Sequence, residues 1–575
     1  MGRVTGLRAA AILLLVLMVP QPAAAAVSLK LGLLAVKEEK NGLQGVVIDT
    51  VVELAPGSGR VVVQPAGMVD ESTLYSTRLG FMLSTALAGK SYRHYDLHVR
   101  FETNTPVGGP SASGFLASTI LLLSMGYSPD TNTTTMTGMV SPAGLVLSVA
   151  GVPEKARAAV ERGYRVIVLP RNEAAALPQG LPARTVAACS IMDAAEALAN
   201  VSMPQAASLP RVPVPDVFRR DAQRFINYTE RLLPLLDNKT RHAVAGLVRE
   251  ARQALGDNAY TAASLAFTAL LRAANYTASK YGFGRVEKEL GVTLGGALRE
   301  ARQALREAGY RAGQGLCYTW RFAALSAAAY RLYLAEHVSS EAGPFWKTLA
   351  LLRALSARTW ARAAEEIRGP LAPCSYLAAT VNTTLSYAET SLRYFTSILN
   401  MPLIRVLTHL ADNRTMSEWL RDARAAYSSG NYPLALGLTV YVLSEIEYRM
   451  DAPNTAVSCL AGYFPRLYAV AGDAFAVPAL YYHSYAEHFI ANTTGGRGDV
   501  ISGFRLESAA LAWMLPAVFL HSIAAGPGGE AAEAYRLAAP LYSPMLPYAL
   551  LAGEAFLLAV AGVAAARASR AGKEV

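Results

Sequence analysis

The sequence predicts an α/β (α+β) domain followed by an all-α helical domain and a C-terminal transmembrane helix. Three observations carry that prediction. Before residue 202, β-branched runs and a period-two segment alternate with helical stretches. From about Val217 to Pro540 the chain is rich in Ala, Leu, Arg and Tyr at helical spacing. Near its end, Met545 to Ala566 is a nearly unbroken apolar run of 22 residues, long enough to cross a bilayer once.

In chain order, residues 1–26 read as a secretory signal. Arg3 and Arg8 precede an apolar run, Ala9 to Val19, and an A-x-A site falls near Ala24 to Ala26. The run is shorter than the roughly 20 residues a membrane span needs. Residues 27–202 form the mixed domain. "VVIDTVVEL" and "GRVVVQPAG" read as strands, and "LHVRFE", Leu97 to Glu102, alternates as a half-buried strand does. A glycine-rich turn carrying two serines follows, then an apolar helix to about Met125. "VPEKARAAVERGYRVIVLP" reads as a helix opened by Pro153 and stopped at Gly163, then a strand from Val166 to Leu169. Residues 203–217, "MPQAASLPRVPVPDV", are a Pro-rich linker.

Residues 218–540 are helical, with a faint internal repeat. "REARQAL" occurs at Arg249 and Arg299 and "RDARAAY" at Arg421, each with a tyrosine eleven residues after its first arginine: Tyr260, Tyr310 and Tyr432. These read as related helix–turn–helix units, although unequal spacing does not establish a regular solenoid. Ala509 to Ala525, with Pro516 and His521, reads as a buried or interfacial helix. A second span there would put the basic tail, residues 567–575, outside the cell. Arg567, Arg570 and Lys573 instead argue for a cytoplasmic end. The expected topology is a single-pass cell-membrane protein with its body outside the cytoplasm.

Composition narrows the function. The chain has 575 residues, 52% hydrophobic, 17% charged, with net charge +10. The arginines are scattered through Ala-rich helices without a basic run, which argues against nucleic acid. Sequons occur at Asn132, Asn200, Asn227, Asn238, Asn275, Asn382, Asn413 and Asn492, eight of the chain's 15 asparagines, as expected of an extracytoplasmic glycoprotein. Four cysteines, Cys189, Cys317, Cys374 and Cys459, admit either a bridge in the helical region or four buried thiols. Neither HExxH nor CxxC is present, and His483, Glu487 and His488 lack good ligand spacing, so no metal is expected. "AGKS" at Ala88 to Ser91 mimics the end of a phosphate-binding loop. Ser84 stands where that loop needs glycine, so no nucleotide is expected either.

The serine-bearing turn acquires meaning from its surroundings. "LHVRFETNTPVGGPSASGFLA" resembles the segment around the nucleophile of Lon-family proteases, in which the serine after proline is catalytic. "MTGMVSPAGLVLSVAGVPEKARAAVERGYRVIVLP", Met136 to Pro170, resembles the family's later segment, which carries a lysine base. Residue by residue, the resemblance implies Ser111 as nucleophile, Lys155 as general base 44 positions on, and Thr137 as the threonine that hydrogen-bonds the lysine. A serine hydroxyl needs such a base, and a lysine can be one only when burial or positive neighbours lower its pKa.

The resemblance has departures. Gly108 stands where the family has aspartate, and Met139 where it has glutamate. Ser113 stands where the family has glycine, so Ser113 is a rival nucleophile, with Ser111 favoured because Pro-Ser-Ala is the matching core. The ATP-driven module usual in the family is missing. The resemblance therefore implies an ATP-independent, membrane-anchored serine endopeptidase acting on unfolded or flexible protein segments, without a cofactor. Homo-oligomerisation is left open. The alternative is a catalytically inactive Lon-fold surface protein that binds peptides or proteins as a scaffold.

Overall fold

The β-branched runs become strands. β1 (Val27–Glu39) pairs antiparallel with β2 (Gly42–Pro56) along the whole of β1, from Val27 opposite Leu54 to Glu39 opposite Gly42. β3 (Val61–Gln64) precedes helix α1 (Glu71–Leu87), and β4 (Tyr95–Phe101) follows it. The sheet order is β1-β2-β4-β3, with β3 parallel to β4. These assignments come from a computed structural model that describes residues 26–40, 42–177, 180–309, 315–338, 342–399, 401, 413–491 and 497–525. The expected signal segment before residue 26, the apolar span 545–566 and the basic tail 567–575 lie outside the described residues.

A turn at Pro110–Ala112 leads into α2 (Ser113–Met125), the apolar helix read from the sequence. It packs on α1 so closely that a Cβ on Gly80 would lie 3.1 Å from that of Ala117. A second, parallel sheet holds β5 (Thr134–Met136), β8 (Val166–Pro170) and β9 (Arg184–Ala188). Between β5 and β8 the chain makes the small hairpin β6 (Met139–Val140) and β7 (Val146–Leu147), then helix α3 (Val152–Glu161). α3 stops where expected, with Gly163 at φ +96°. α4 (Ile191–Ala199) closes this part, its first turn fixed by a reciprocal Ser190–Asp193 capping box.

Among the described residues the rest of the chain is mainly helical: α5 (Asp216–Leu232), α6 (Asn238–Asp257), α7 (Ala259–Tyr281), α8 (Phe283–Leu290) and α9 (Leu294–Ala308) come first. After β10 (Leu316–Tyr318) come α10 (Thr319–Glu336) and α11 (Pro344–Glu366); β11 (Leu371–Pro373) pairs with β10 and leads into α12 (Cys374–Ile398). α13 (Asn413–Ser428), α14 (Tyr432–Asn454), α15 (Val457–Ala471), α16 (Ala476–Ala491) and α17 (Arg497–Ala524) complete it. The repeated motif falls in α6, α9 and α13. In the first and last copies its tyrosine opens the next helix, Tyr260 in α7 and Tyr432 in α14.

Val500–Ala524 is long and apolar enough to cross a membrane, but 78% of its apolar window is buried within the protein, as in a core helix. The Pro-rich stretch lies against the helices: Tyr481 donates its hydroxyl to the carbonyl of Pro213 at 2.8 Å, and Met203 is buried. The described residues through Ile523 form one compact unit. All four cysteines are paired, Cys189 with Cys459 and Cys317 with Cys374. The first bridge joins the α/β part to α15, a long-range pairing that spacing along the chain does not reveal.

Candidate active site

The site is built around the turn between β4 and α2. Gly109 sits at φ +93°, a conformation that favours glycine, and this aims the chain into the Pro110–Ala112 turn. The Ser111 carbonyl accepts the Gly138 N–H at 2.9 Å and the Thr137 hydroxyl at 3.3 Å. The return bond, Gly114 N–H to the Gly138 carbonyl at 2.9 Å, laces the start of α2 to the end of β5. A Cβ at Gly114 would come within 2.9 Å of that carbonyl, so a larger residue there would push the two segments apart.

The two serines have different surroundings. Ser113 is buried. Its hydroxyl donates to the Pro110 carbonyl at 2.7 Å and accepts the Val140 N–H at 2.9 Å. Both roles of that oxygen are therefore taken by backbone. Ser111 is half-buried and lies just ahead of α2, at the end where aligned peptide dipoles leave partial positive charge.

Lys155 lies in the first turn of α3, 2% exposed. Burial lowers its ammonium pKa from 10.5 to about 8, and the Glu173 carboxylate opposes that shift. Its main chain is fixed from two sides. Gly151, at φ +68°, caps the helix, and the Lys155 N–H donates to the Gly151 carbonyl at 2.9 Å. Across from it, β2 comes so near that a Cβ on Gly45 would stand 2.0 Å from the Glu154 carbonyl oxygen and 3.0 Å from the Lys155 nitrogen. Thr137, 1% exposed, is held at the end of β5 by its N–H to the Val168 carbonyl at 3.1 Å.

The structure thus joins Thr137 to Ser111 directly, through the serine's main chain. Lys155 arrives on a separate element, and no hydrogen bond links its ammonium to Ser111 or Thr137 among the described residues. Met139, standing for the family's glutamate, is fully buried.

Residues far along the chain also bear on this region, and spacing arguments missed them. Glu447 of α14 accepts the Ser141 hydroxyl at 2.5 Å and the Ala143 N–H at 2.9 Å. Tyr387 of α12 donates to the Pro142 carbonyl at 2.6 Å, and the Asn454 carbonyl accepts from Ser148. The loop between β6 and β7 is therefore held by the α/β part on one side and the helices on the other. Arg466 adds ion pairs to Asp193 and Glu196. His483 and His488 are engaged as packing and pairing groups. His483 is stacked on Phe464 and bonded to Glu507, and His488 faces Glu250.

Residues 70–202 match the family model of the Lon protease (S16) C-terminal proteolytic domain. Curated relatives agree. The Lon protease of Fervidobacterium nodosum is 32% identical over 124 residues, covering 21% of this chain and 15% of the relative. Lon protease 2 of Bacillus subtilis is 37% identical over 86 residues, 15% of each chain. The archaeal Lon protease of Archaeoglobus fulgidus is 28% identical over 133 residues, 22% of this chain and 21% of the relative. The α/β part is therefore similar to the proteolytic domain of a serine-protease family. The chain covers about a fifth or less of these relatives' length.

Proposed function

We propose that the protein is an ATP-independent, membrane-anchored serine endopeptidase whose body lies outside the cytoplasm and which cleaves unfolded or flexible protein segments. The observation that supports it most is Lys155, a lysine buried on the first turn of a helix with its pKa lowered to about 8. At pH 7 about a tenth of such a side chain is neutral, against well under a thousandth of an ordinary lysine.

In this reading the neutral Lys155 Nζ takes the proton from the Ser111 hydroxyl as Oγ bonds the scissile carbonyl carbon. The carbonyl electron pair moves to oxygen, and the positive end of α2 faces the developing charge. Collapse breaks the C–N bond, and the leaving amine takes its proton from the lysine ammonium. Water then attacks the acyl group with Lys155 again as base, and Ser111 regains its proton. Thr137 bonds the Ser111 carbonyl and retains lone pairs able to accept from the lysine. Protein and peptide substrates are the partners this chemistry requires.

A second reading, a binding scaffold that does no chemistry, draws on the missing Lys155–Ser111 hydrogen bond. The experiment is proteolysis of an unfolded protein by the full-length chain in detergent, without nucleotide. Cleavage by the wild type and none by Ser111→Ala or Lys155→Arg supports the peptidase. Equal cleavage by Ser111→Ala removes the nucleophile assignment, and a folded, inert wild type supports the scaffold.

A further inference from the structure

The N-terminal cap of α1 does more than cap. Asp70 Oδ1 accepts the Thr73 N–H at 2.8 Å, the ordinary capping bond. Its other oxygen, Oδ2, accepts the Gly109 N–H at 2.9 Å, and the Ser72 hydroxyl donates to the carboxylate at 3.0 Å. The same two segments are tied three times more: Thr73 Oγ1 donates to the Gly109 carbonyl at 3.1 Å, the Asp70 N–H to the Val107 carbonyl at 3.1 Å, and the Val107 N–H to the Met68 carbonyl at 2.8 Å. Gly108 faces this carboxylate. A Cβ built there would stand 3.0 Å from Asp70 Oδ2 and 3.5 Å from Cγ.

We propose that Asp70 is a positioning residue for the Ser111 turn, and that its carboxylate, reaching across from α1, occupies the space a side chain at position 108 would fill. The inference rests on reading Ser111 as the nucleophile. The turn is gripped from two directions, by the Asp70 carboxylate at Gly109 and by Gly138 and Thr137 at the Ser111 carbonyl. Gly109 has a left-handed backbone, and its N–H bond to a charged acceptor is stronger than a bond to a neutral one. Without that acceptor the Gly109 N–H loses its charged partner, and this side of the turn keeps only the neutral bonds at the Gly109 carbonyl and at Val107. A nucleophile displaced by about 1 Å loses on the order of 100-fold in rate. Position 108 must then stay small because the carboxylate is already there.

Full-length Asp70→Asn and Asp70→Ser test this. Asn and Ser both cap helices well, so α1 keeps its Thr73 bond, while the charged acceptor for Gly109 is gone. Hydrogen exchange is followed separately in peptides covering residues 107–112 and residues 71–87, together with kcat and KM on a peptide substrate. The expected result is exchange about 10-fold faster in the turn with α1 unchanged, and kcat down about 10-fold or more with KM within about 2-fold. Asp70→Ser combined with Gly108→Asp returns a carboxylate to the same space and recovers part of the lost kcat and protection. Unchanged turn protection overturns the proposal. So does exchange that rises equally in α1 and the turn, which marks a cap alone, and so does kcat unaffected by a loosened turn. If the wild type cleaves nothing, the peptidase reading fails, and the exchange comparison still decides whether Asp70 holds the turn.

Discussion

Ser113 and Val140 are joined by a buried hydrogen bond, the Val140 N–H to the Ser113 hydroxyl at 2.9 Å, while that hydroxyl donates to Pro110. One serine oxygen thus fastens the start of α2 to the strand that follows Thr137. Ser113→Ala leaves a buried N–H without its acceptor, which costs about 1–3 kcal/mol. The expected outcome is a lower melting temperature with cleavage retained within a few-fold, whereas Ser111→Ala cleaves nothing. A folded, inactive Ser113→Ala protein would reverse the roles of the two serines.

If Lys155 is the base of the proposed peptidase, activity should depend on pH. With its pKa at about 8, kcat/KM rises about tenfold per pH unit below that value and levels off above it. A profile flat between about pH 6 and 9 on a stable substrate would exclude Lys155 as the titrating base.

The same lysine opposes folding at neutral pH. Its pKa is lower folded than unfolded, so the penalty is fully present below about 8. Stability then rises between about 8 and 10.5, where the folded chain has already lost its proton and the unfolded chain still holds one. Lys155→Met keeps the bulk and removes the buried charge. The expected result at pH 7 is an inactive protein stabilised by roughly 2–3 kcal/mol, read as a raised melting temperature. An unchanged or lowered melting temperature counts against the buried charge as a penalty.

Glu447 acts in the opposite sense. Burial raises its pKa to about 7, outweighing the Ser141 and Ala143 hydrogen bonds that favour its ionised form. Asp451, buried beside it, is also raised by burial and by the Glu447 carboxylate. Each holds a proton more tightly folded than unfolded, so stability falls as pH rises from about 4.5 to 7. Glu447→Gln should reduce that fall, measured as the difference in melting temperature between pH 5 and pH 8, without erasing it because Asp451 remains. At pH 5 it should cost about 1–3 kcal/mol through the disturbed contacts with Ser141 and Ala143.

Local patterns in the sequence were enough to read the α/β elements near the site. The alternation of Leu97 to Glu102, the apolar run ending at Met125, and the Pro153-to-Gly163 helix each reflect bonds made within a few residues, and each recurs in the structure. The distinct surroundings of Ser111 and Ser113 were not legible, because they depend on Val140, Gly138 and Thr137, brought near only by the fold. The cap bond of Asp70 to Thr73 is local, within a run of Asp-Glu-Ser-Thr. Its second bond, to Gly109, has no local signature. Glu447 and Tyr387 lie some hundreds of residues from the loop they hold, and the cysteine pairing is equally non-local.

The Cys189–Cys459 bridge joins positions 270 apart in sequence, with the whole Pro-rich stretch between them. A single cut between those two cysteines, by the protein's own hand or another's, would separate nothing. The pieces would migrate as one molecule until a reductant released them, so maturation by internal nicking would be invisible without reduction. Comparing reduced and unreduced gels of the purified protein would reveal such a history.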